Sequence, residues 1–207
     1  MSEEAHKHGS GPGRMIGFSD GVMAVIITIM AFDLRPPSGV SAAALEHRLP
    51  MLLVYLLSFT YIGIYWNNHH HLMRLTHRID GRVMWANLHL LFWLSLMPVL
   101  TEWVGTDYHH SVPAAIYGIA ALGAGFAYFL LVRAIIACEG ADSPVAAAVG
   151  SDLKGLVSEL IYAAGVALAF VDPYLAYGFY AAVALMWFVP DRRMTRHHAH
   201  EHREPAD

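Results

Sequence analysis

The feature that most constrains this chain is a series of apolar stretches, each about as long as a bilayer is thick. One of them, 114–132, contains no charged residue. A helix needs roughly 20 predominantly apolar residues to cross the hydrocarbon core of a membrane. Charged residues make up only 14% of the 207 residues and cluster at the chain ends and in short connectors. The alternation typical of a lipid-facing barrel is absent, so the pattern predicts an integral membrane protein built from helices.

Six apolar stretches follow one another, separated by Pro, Gly and charged residues. They predict an all-α fold with six transmembrane helices in one domain, 14–190. The segment 1–13 includes the run HGSGPG and is expected to be disordered, whereas 191–207 is expected to be a polar, His-rich tail. The predicted helices are 14–34, 49–72, 82–103, 114–137, 153–170 and a sixth that ends near residue 190.

Basic side chains are distributed unevenly between the two sides of this predicted topology. Cytoplasmic connectors of membrane proteins retain an excess of Lys and Arg. Of the 13 Lys and Arg residues, only Arg35 and Arg48 would lie on the side opposite the termini. Both termini are therefore predicted to be cytoplasmic. The net charge of −4 gives no basic field that would attract nucleic acid, so we expect no nucleic-acid partner.

The first predicted helix contains an acid, Asp20, about a turn and a half from its start. A carboxylate within a membrane is costly unless it faces protein or water, although the helix dipole favours negative charge near a helix N-terminus. Asp20 is therefore either a functional residue or an interfacial anchor. The topology brings the end of the second helix and the start of the third to the same depth, so we expect a hydrogen-bonded network. Its candidate members are Arg14, Ser19, Asp20, Trp66, Asn67, Asn68, His69, His70, His71, Trp85, Asn87 and His89.

An apolar stripe follows Asp20 on the same helix. Val25, Ile29 and Phe32 stand at positions i, i+4 and i+7 and therefore share one helix face, with Thr28 beside them. For an isolated helix, such a stripe most simply indicates contact with lipid or packing against protein. The spacing alone does not separate these alternatives from a pore-lining role.

Three segments together resemble the transmembrane protein 175 family, the potassium channels of endolysosomes and prokaryotes. The first is Arg14-x-x-x-Phe18-Ser19-Asp20, the second is IGIYWNNHHHL at 62–72, and the third is ANLHLLFWLSLMPVLTEW at 86–103. The resemblance implies a potassium channel of the single-repeat prokaryotic type, located in the plasma membrane. It further implies a homotetramer in the lipid bilayer, with the first helix of each copy lining a central pore.

The resemblance also implies roles for the apolar stripe. Counted from the motif aspartate, Val25, Ile29 and Phe32 fall at the family's hydrophobic constriction, and the Thr28 hydroxyl would offer oxygen contacts to the permeant K⁺. No loop like the TVGYG filter of common potassium channels occurs in the sequence, so we expect weak cation selectivity. We expect no cofactor.

A second interpretation is a proton- or metal-ion transporter that uses Asp20 and the cluster His69, His70 and His71, and a nonconducting scaffold is a third. Three consecutive histidines point around a helix in different directions, so they make a poor single metal site and we expect none. An enzyme is not expected, because acids and histidines at i, i+3 or i+4 on facing helices are not found.

Overall fold

Helices account for nearly all of the described part of the chain, residues 12–149 and 152–188 of a computed structural model. These residues contain no β-strand, which confirms the predicted all-α class. The predictions for residues 1–11 and 189–207 lie outside the described residues. The helices are α1 (Pro12–Phe32), α2 (Ala42–Glu46), α3 (Leu49–Arg74), α4 (Gly81–Ser95), α5 (Met97–Thr106), α6 (Ser111–Glu139), α7 (Pro144–Val149), α8 (Leu153–Leu168) and α9 (Pro173–Phe188).

Among the described residues, four segments are long and apolar enough to cross a membrane: α1, α3, the continuous stretch of α4 and α5, and α6. The helices α8 and α9 lie where the other two spans were predicted, and the described part of each has 16 residues. At a rise of 1.5 Å per residue, α8 is about 24 Å long, which is shorter than the roughly 30 Å hydrocarbon core. The length criterion therefore supports four of the six predicted spans.

The third predicted span has one local irregularity in its helical hydrogen bonds. It lies at Leu96, between α4 and α5. Pro98 lies two residues later and lacks the backbone N–H that would donate to the carbonyl of Leu94, and a proline ring clashes with the backbone of the preceding turn. Its position at the start of α5 suits proline, because the first N–H groups of a helix have no partner within that helix. The third predicted span, 82–103, therefore corresponds to the segment Gly81–Thr106, within which α4 and α5 meet at Leu96.

The start of the first helix also differs from the prediction. Pro12 and Gly13 were assigned to a disordered segment, but they lie within α1. At its other end, α1 stops at Phe32, two residues before the predicted end.

The helix α6 lies at the centre of the bundle and packs against α4, α5, α8 and α9. Small residues allow these close approaches. Gly123 faces the ring of Trp93 on α4, and Gly118 faces the hydroxyl of Tyr180 on α9. The buried alanines of α6 are Ala114, Ala115, Ala120, Ala121, Ala124 and Ala127.

At the end of the bundle where α1 lies closest to its N-terminus, three acidic side chains accept backbone hydrogen bonds. Asp80 caps α4, and Asp152 caps α8. Glu139, the last residue of α6, accepts hydrogen bonds from the backbone N–H groups of His77 and Arg78 in the α3–α4 connector. This connector is therefore attached to the end of α6.

Candidate functional site on the first helix

The helix α1 has one buried face and one exposed face. Its buried face packs against α3, α4 and α5. On the opposite face, Val25, Ile29 and Phe32 have exposed fractions of 54%, 46% and 86%. Thr28 is exposed beside them, and its hydroxyl donates to the carbonyl oxygen of Val25 at 2.9 Å. The predicted stripe therefore faces away from the rest of the chain.

The exposed face continues toward the start of α1. Phe18 lies one heptad before Val25 and is also exposed. Gly17 and Gly21 are exposed as well, and a Cβ atom added at either position would meet no other atom within 4 Å. The whole length of α1 thus presents a face that the described residues of this chain leave uncovered.

Three buried side chains connect α1, α3 and α4 through hydrogen bonds. Asn87 Nδ2 donates to Ser19 Oγ at 2.9 Å, and Asn87 Oδ1 lies 2.8 Å from His69 Nε2. Ser19 Oγ in turn donates to the Met15 carbonyl at 2.8 Å. Because the Ser19 proton is used there, Ser19 must accept from Asn87, and this fixes the orientation of the Asn87 amide.

The orientation of the Asn87 amide also determines which tautomer His69 adopts. An amide oxygen only accepts, so His69 Nε2 must donate and carry the proton. In the neutral ring, Nδ1 is then unprotonated, and it has no hydrogen-bond partner within 12–149 and 152–188. His69 therefore serves as a hydrogen-bond donor that holds Asn87 against Ser19 on α1.

Asp20 belongs to the same end of the bundle but has a different partner. Its Oδ1 accepts a hydrogen bond from Trp66 Nε1 on α3 at 3.0 Å. The Trp66 indole stacks on the ring of His70, with ring centroids 6.0 Å apart. Asp20 is only partly buried, so its carboxylate has both a protein donor and contact with the surroundings.

Other predicted members of the network lie apart from these hydrogen bonds. Arg14 and Phe18 are exposed on α1. The backbone carbonyl of Asn68 accepts a hydrogen bond from the Tyr128 hydroxyl on α6 at 3.2 Å. His70 and His71 point away from the buried ring of His69, as expected for consecutive helix positions. Among the described residues, no group of three or more His, Cys, Asp or Glu could hold a metal ion.

A second buried polar cluster was not predicted from the sequence. Thr101 Oγ1 lies 2.7 Å from Ser58 Oγ and 3.7 Å from Met30 Sδ, and Ser58 Oγ lies 2.9 Å from the Tyr117 hydroxyl. The cluster joins α5, α3, α1 and α6. Its sequence signal is the presence of hydroxyl residues inside otherwise apolar stretches, which by itself does not indicate their partners.

These features define a class of protein: a multi-pass helical membrane protein whose first helix presents an uncovered apolar face and is held by buried polar contacts. Residues 14–98 match the family model described as endosomal/lysosomal potassium channel TMEM175. A protein named potassium channel from Chryseobacterium sp. (strain P1-3) is 50% identical over 184 residues, covering 89% of this chain and 96% of the relative. Another protein named potassium channel, from Streptomyces collinus, is 30% identical over 188 residues, covering 84% of this chain and 90% of the relative.

The chain belongs to the TMEM175 family, as its identity to these relatives over most of both chains shows. This is the transmembrane protein 175 family that the three sequence segments resemble, and that prediction is confirmed. A similar fold occurs in the crystal structure of a lysosomal potassium-selective channel TMEM175 homolog from Chamaesiphon minutus. The TM-score is 0.76 at 24% identity, with 86% of this chain and 96% of the other covered.

Proposed function

We propose that this chain is one subunit of a potassium channel, a homotetramer in the plasma membrane of a prokaryote, with α1 of each copy lining the pore. The observation that carries this proposal is the uncovered apolar face of α1 in a chain whose relatives are named potassium channels. In this arrangement α8 and α9 complete six spans, and both termini are cytoplasmic.

The proposed constriction consists of Val25, Ile29 and Phe32 from four copies. From Val25 to Phe32 the helix rises about 10 Å, so the three rings would extend over roughly that length of the pore. Apolar side chains offer no ligands that replace the water lost by an ion, and a narrow apolar constriction can exclude water altogether. Potassium loses its hydration water more easily than sodium, so such a pore favours potassium, but only weakly.

Thr28 provides the polar group beside this constriction. Its hydroxyl proton is used in the hydrogen bond to the Val25 carbonyl, and the side chain is exposed on the same side as the apolar stripe. The lone pairs of the hydroxyl oxygen therefore remain able to accept a cation. A ring of four such oxygens would partly replace the water of a passing potassium ion.

Cation flux into liposomes that contain the purified full-length protein tests this proposal. We expect potassium flux to exceed sodium flux, and Ile29→Asn to increase the flux or reduce the preference for potassium, because the amide offers polar contacts within the constriction. Ile119→Asn is the matched control, since Ile119 has a similar exposed fraction (40%) but lies on α6. Equal effects of the two variants, or no flux from any of them, would contradict the proposed pore.

The oligomeric state is tested separately by native mass spectrometry of the protein in detergent. The proposal requires four copies. A monomer that still conducts cations would leave α1 facing lipid and would contradict the proposed arrangement. A folded monomer without flux would favour the nonconducting scaffold.

A further inference from the structure

The buried cluster of Met30, Ser58, Thr101 and Tyr117 lies directly behind the proposed constriction. Met30 follows Ile29 in the sequence and belongs to the buried face of α1. All four side chains are buried. In a membrane-spanning bundle, no water is available to hydrogen-bond to buried hydroxyls, so they must find partners within the protein.

Thr101 is the donor that joins the cluster. Tyr117, Ser58 and Thr101 each have one hydroxyl proton, whereas the Met30 sulfur has none and can only accept. Thr101 Oγ1 donates to Ser58 Oγ at 2.7 Å and also faces the Met30 sulfur, whereas either hydroxyl of the Ser58–Tyr117 pair can be the donor. The 3.7 Å distance from Thr101 Oγ1 to Met30 Sδ is suitable for a hydrogen bond to sulfur. The chain of hydrogen bonds therefore ends on α1.

Thr101 is a buried polar residue of α5. The residue lies on α5, five residues after the interruption at Leu96, and is buried against α1 and α3. The other side-chain hydrogen bonds that reach α1 are at Ser19 and Asp20, about three turns away from Met30. In the described part of the chain, Thr101 thus provides the polar contact to the second half of α1.

We infer that Thr101 is a positioning residue for the constriction. By holding Met30, it fixes the rotation of the second half of α1 and therefore the direction in which Ile29 and Phe32 project. This inference depends on the proposed function, because it assumes that these two side chains line the pore. Ser58 and Tyr117 support Thr101 by completing its hydrogen bonds.

The test compares three substitutions in the full-length protein. Thr101→Val preserves the shape of the side chain but removes the hydroxyl, and it leaves Ser58 and Tyr117 able to bond to each other. Met30→Leu removes the acceptor at similar volume, and Thr101→Ser retains the hydroxyl. Thr76→Val is the matched control, because Thr76 is also buried but its hydroxyl donates to the Leu72 carbonyl at the end of α3.

We expect Thr101→Val and Met30→Leu each to lower the ratio of potassium to sodium flux by roughly two- to fivefold, as loss of one weak hydrogen bond implies. Thr101→Ser and Thr76→Val should keep the ratio of the unmodified protein. All variants should remain tetrameric, so the flux ratio reports on the pore and not on folding.

The Ile29→Asn variant distinguishes failure of this inference from failure of the proposed function. If Ile29→Asn changes the flux but Thr101→Val and Met30→Leu leave the ratio unchanged, the inference is wrong and the channel proposal stands. If Thr101→Val lowers only the thermal unfolding temperature, Thr101 is a structural residue and the inference is also wrong. If Ile29→Asn has no effect either, both proposals fail.

Discussion

Trp66 Nε1 donates a hydrogen bond to Asp20 Oδ1 at 3.0 Å, and this contact joins α3 to α1. The acid within the first helix therefore has a neutral donor as its partner. A neutral donor needs an acceptor but not a negative charge. Asp20 is thus suited to hold α1 in place, whereas a transporter would require it to bind and release a proton or a metal ion.

Asp20→Asn separates these two roles. The amide oxygen of asparagine can still accept from Trp66, so a channel should keep its potassium flux to within about twofold. A transporter that uses the carboxylate should lose its activity. Liposome flux is the measurement, with Trp66→Phe as the comparison because it removes the donor and keeps an aromatic ring. Loss of potassium flux in Asp20→Asn protein that keeps the oligomeric state of the unmodified protein would favour the transporter.

Asn87 is expected to be the most sensitive position of the buried network. Its removal in Asn87→Ala leaves Ser19 and His69 without their shared partner, and each unsatisfied buried polar group costs about 1–3 kcal/mol. The thermal unfolding midpoint in detergent should therefore fall clearly. Asn67→Ala is the control, because Asn67 is exposed on α3. Equal midpoints for the two variants would show that the network contributes little to stability.

Gly123 is expected to be required for the packing of α6 against α4. A Cβ atom at this position would lie 2.5 Å from ring atoms of Trp93, and a rigid indole cannot move aside easily. Trp93 is further held by its hydrogen bond to His89 at 3.0 Å. Gly123→Ala should therefore destabilise the protein by about 1–3 kcal/mol, measured by thermal unfolding.

Gly178→Ala provides the control for this substitution. Gly178 is also in a helix, but a Cβ atom there would meet nothing within 4 Å. Alanine is also the better helix former, so this variant should be at least as stable as the unmodified protein. If Gly123→Ala were as stable as Gly178→Ala, the close approach of α4 and α6 would not depend on the glycine.

Glu139 is expected to order the connector between α3 and α4. Its side chain is only 5% exposed and accepts from the backbone N–H groups of His77 and Arg78. Glu139→Ala should speed hydrogen–deuterium exchange at these two amides, whereas Glu139→Gln retains an acceptor and should have a smaller effect. Glu102→Ala, at an exposed position of α5, is the control. Unchanged exchange in Glu139→Ala would mean that the connector is ordered by other contacts.

Several elements could be predicted because their signals are local. Apolar stretches predict membrane helices, and the spacing of Val25, Ile29 and Phe32 predicts their common face, since both depend only on composition and helical periodicity. The break at Leu96 has a local cause in Pro98, but prolines also occur in helices that continue. The proline was therefore compatible with a regular helix or with a break, and the sequence alone did not distinguish the two.

The amino-acid sequence by itself determined that this is an all-α membrane protein, and its three motifs were sufficient to indicate the family. Tertiary structure alone decided which polar side chains are paired. Ser19 and Asn87 are 68 residues apart, and Thr101 and Met30 are 71 apart. Such pairs depend on the rotation and depth of each helix, and these are determined by packing between helices. Hydropathy and spacing indicated which helix ends lie at a similar depth, including those that carry Ser19, His69 and Asn87, but not which side chains there would be paired.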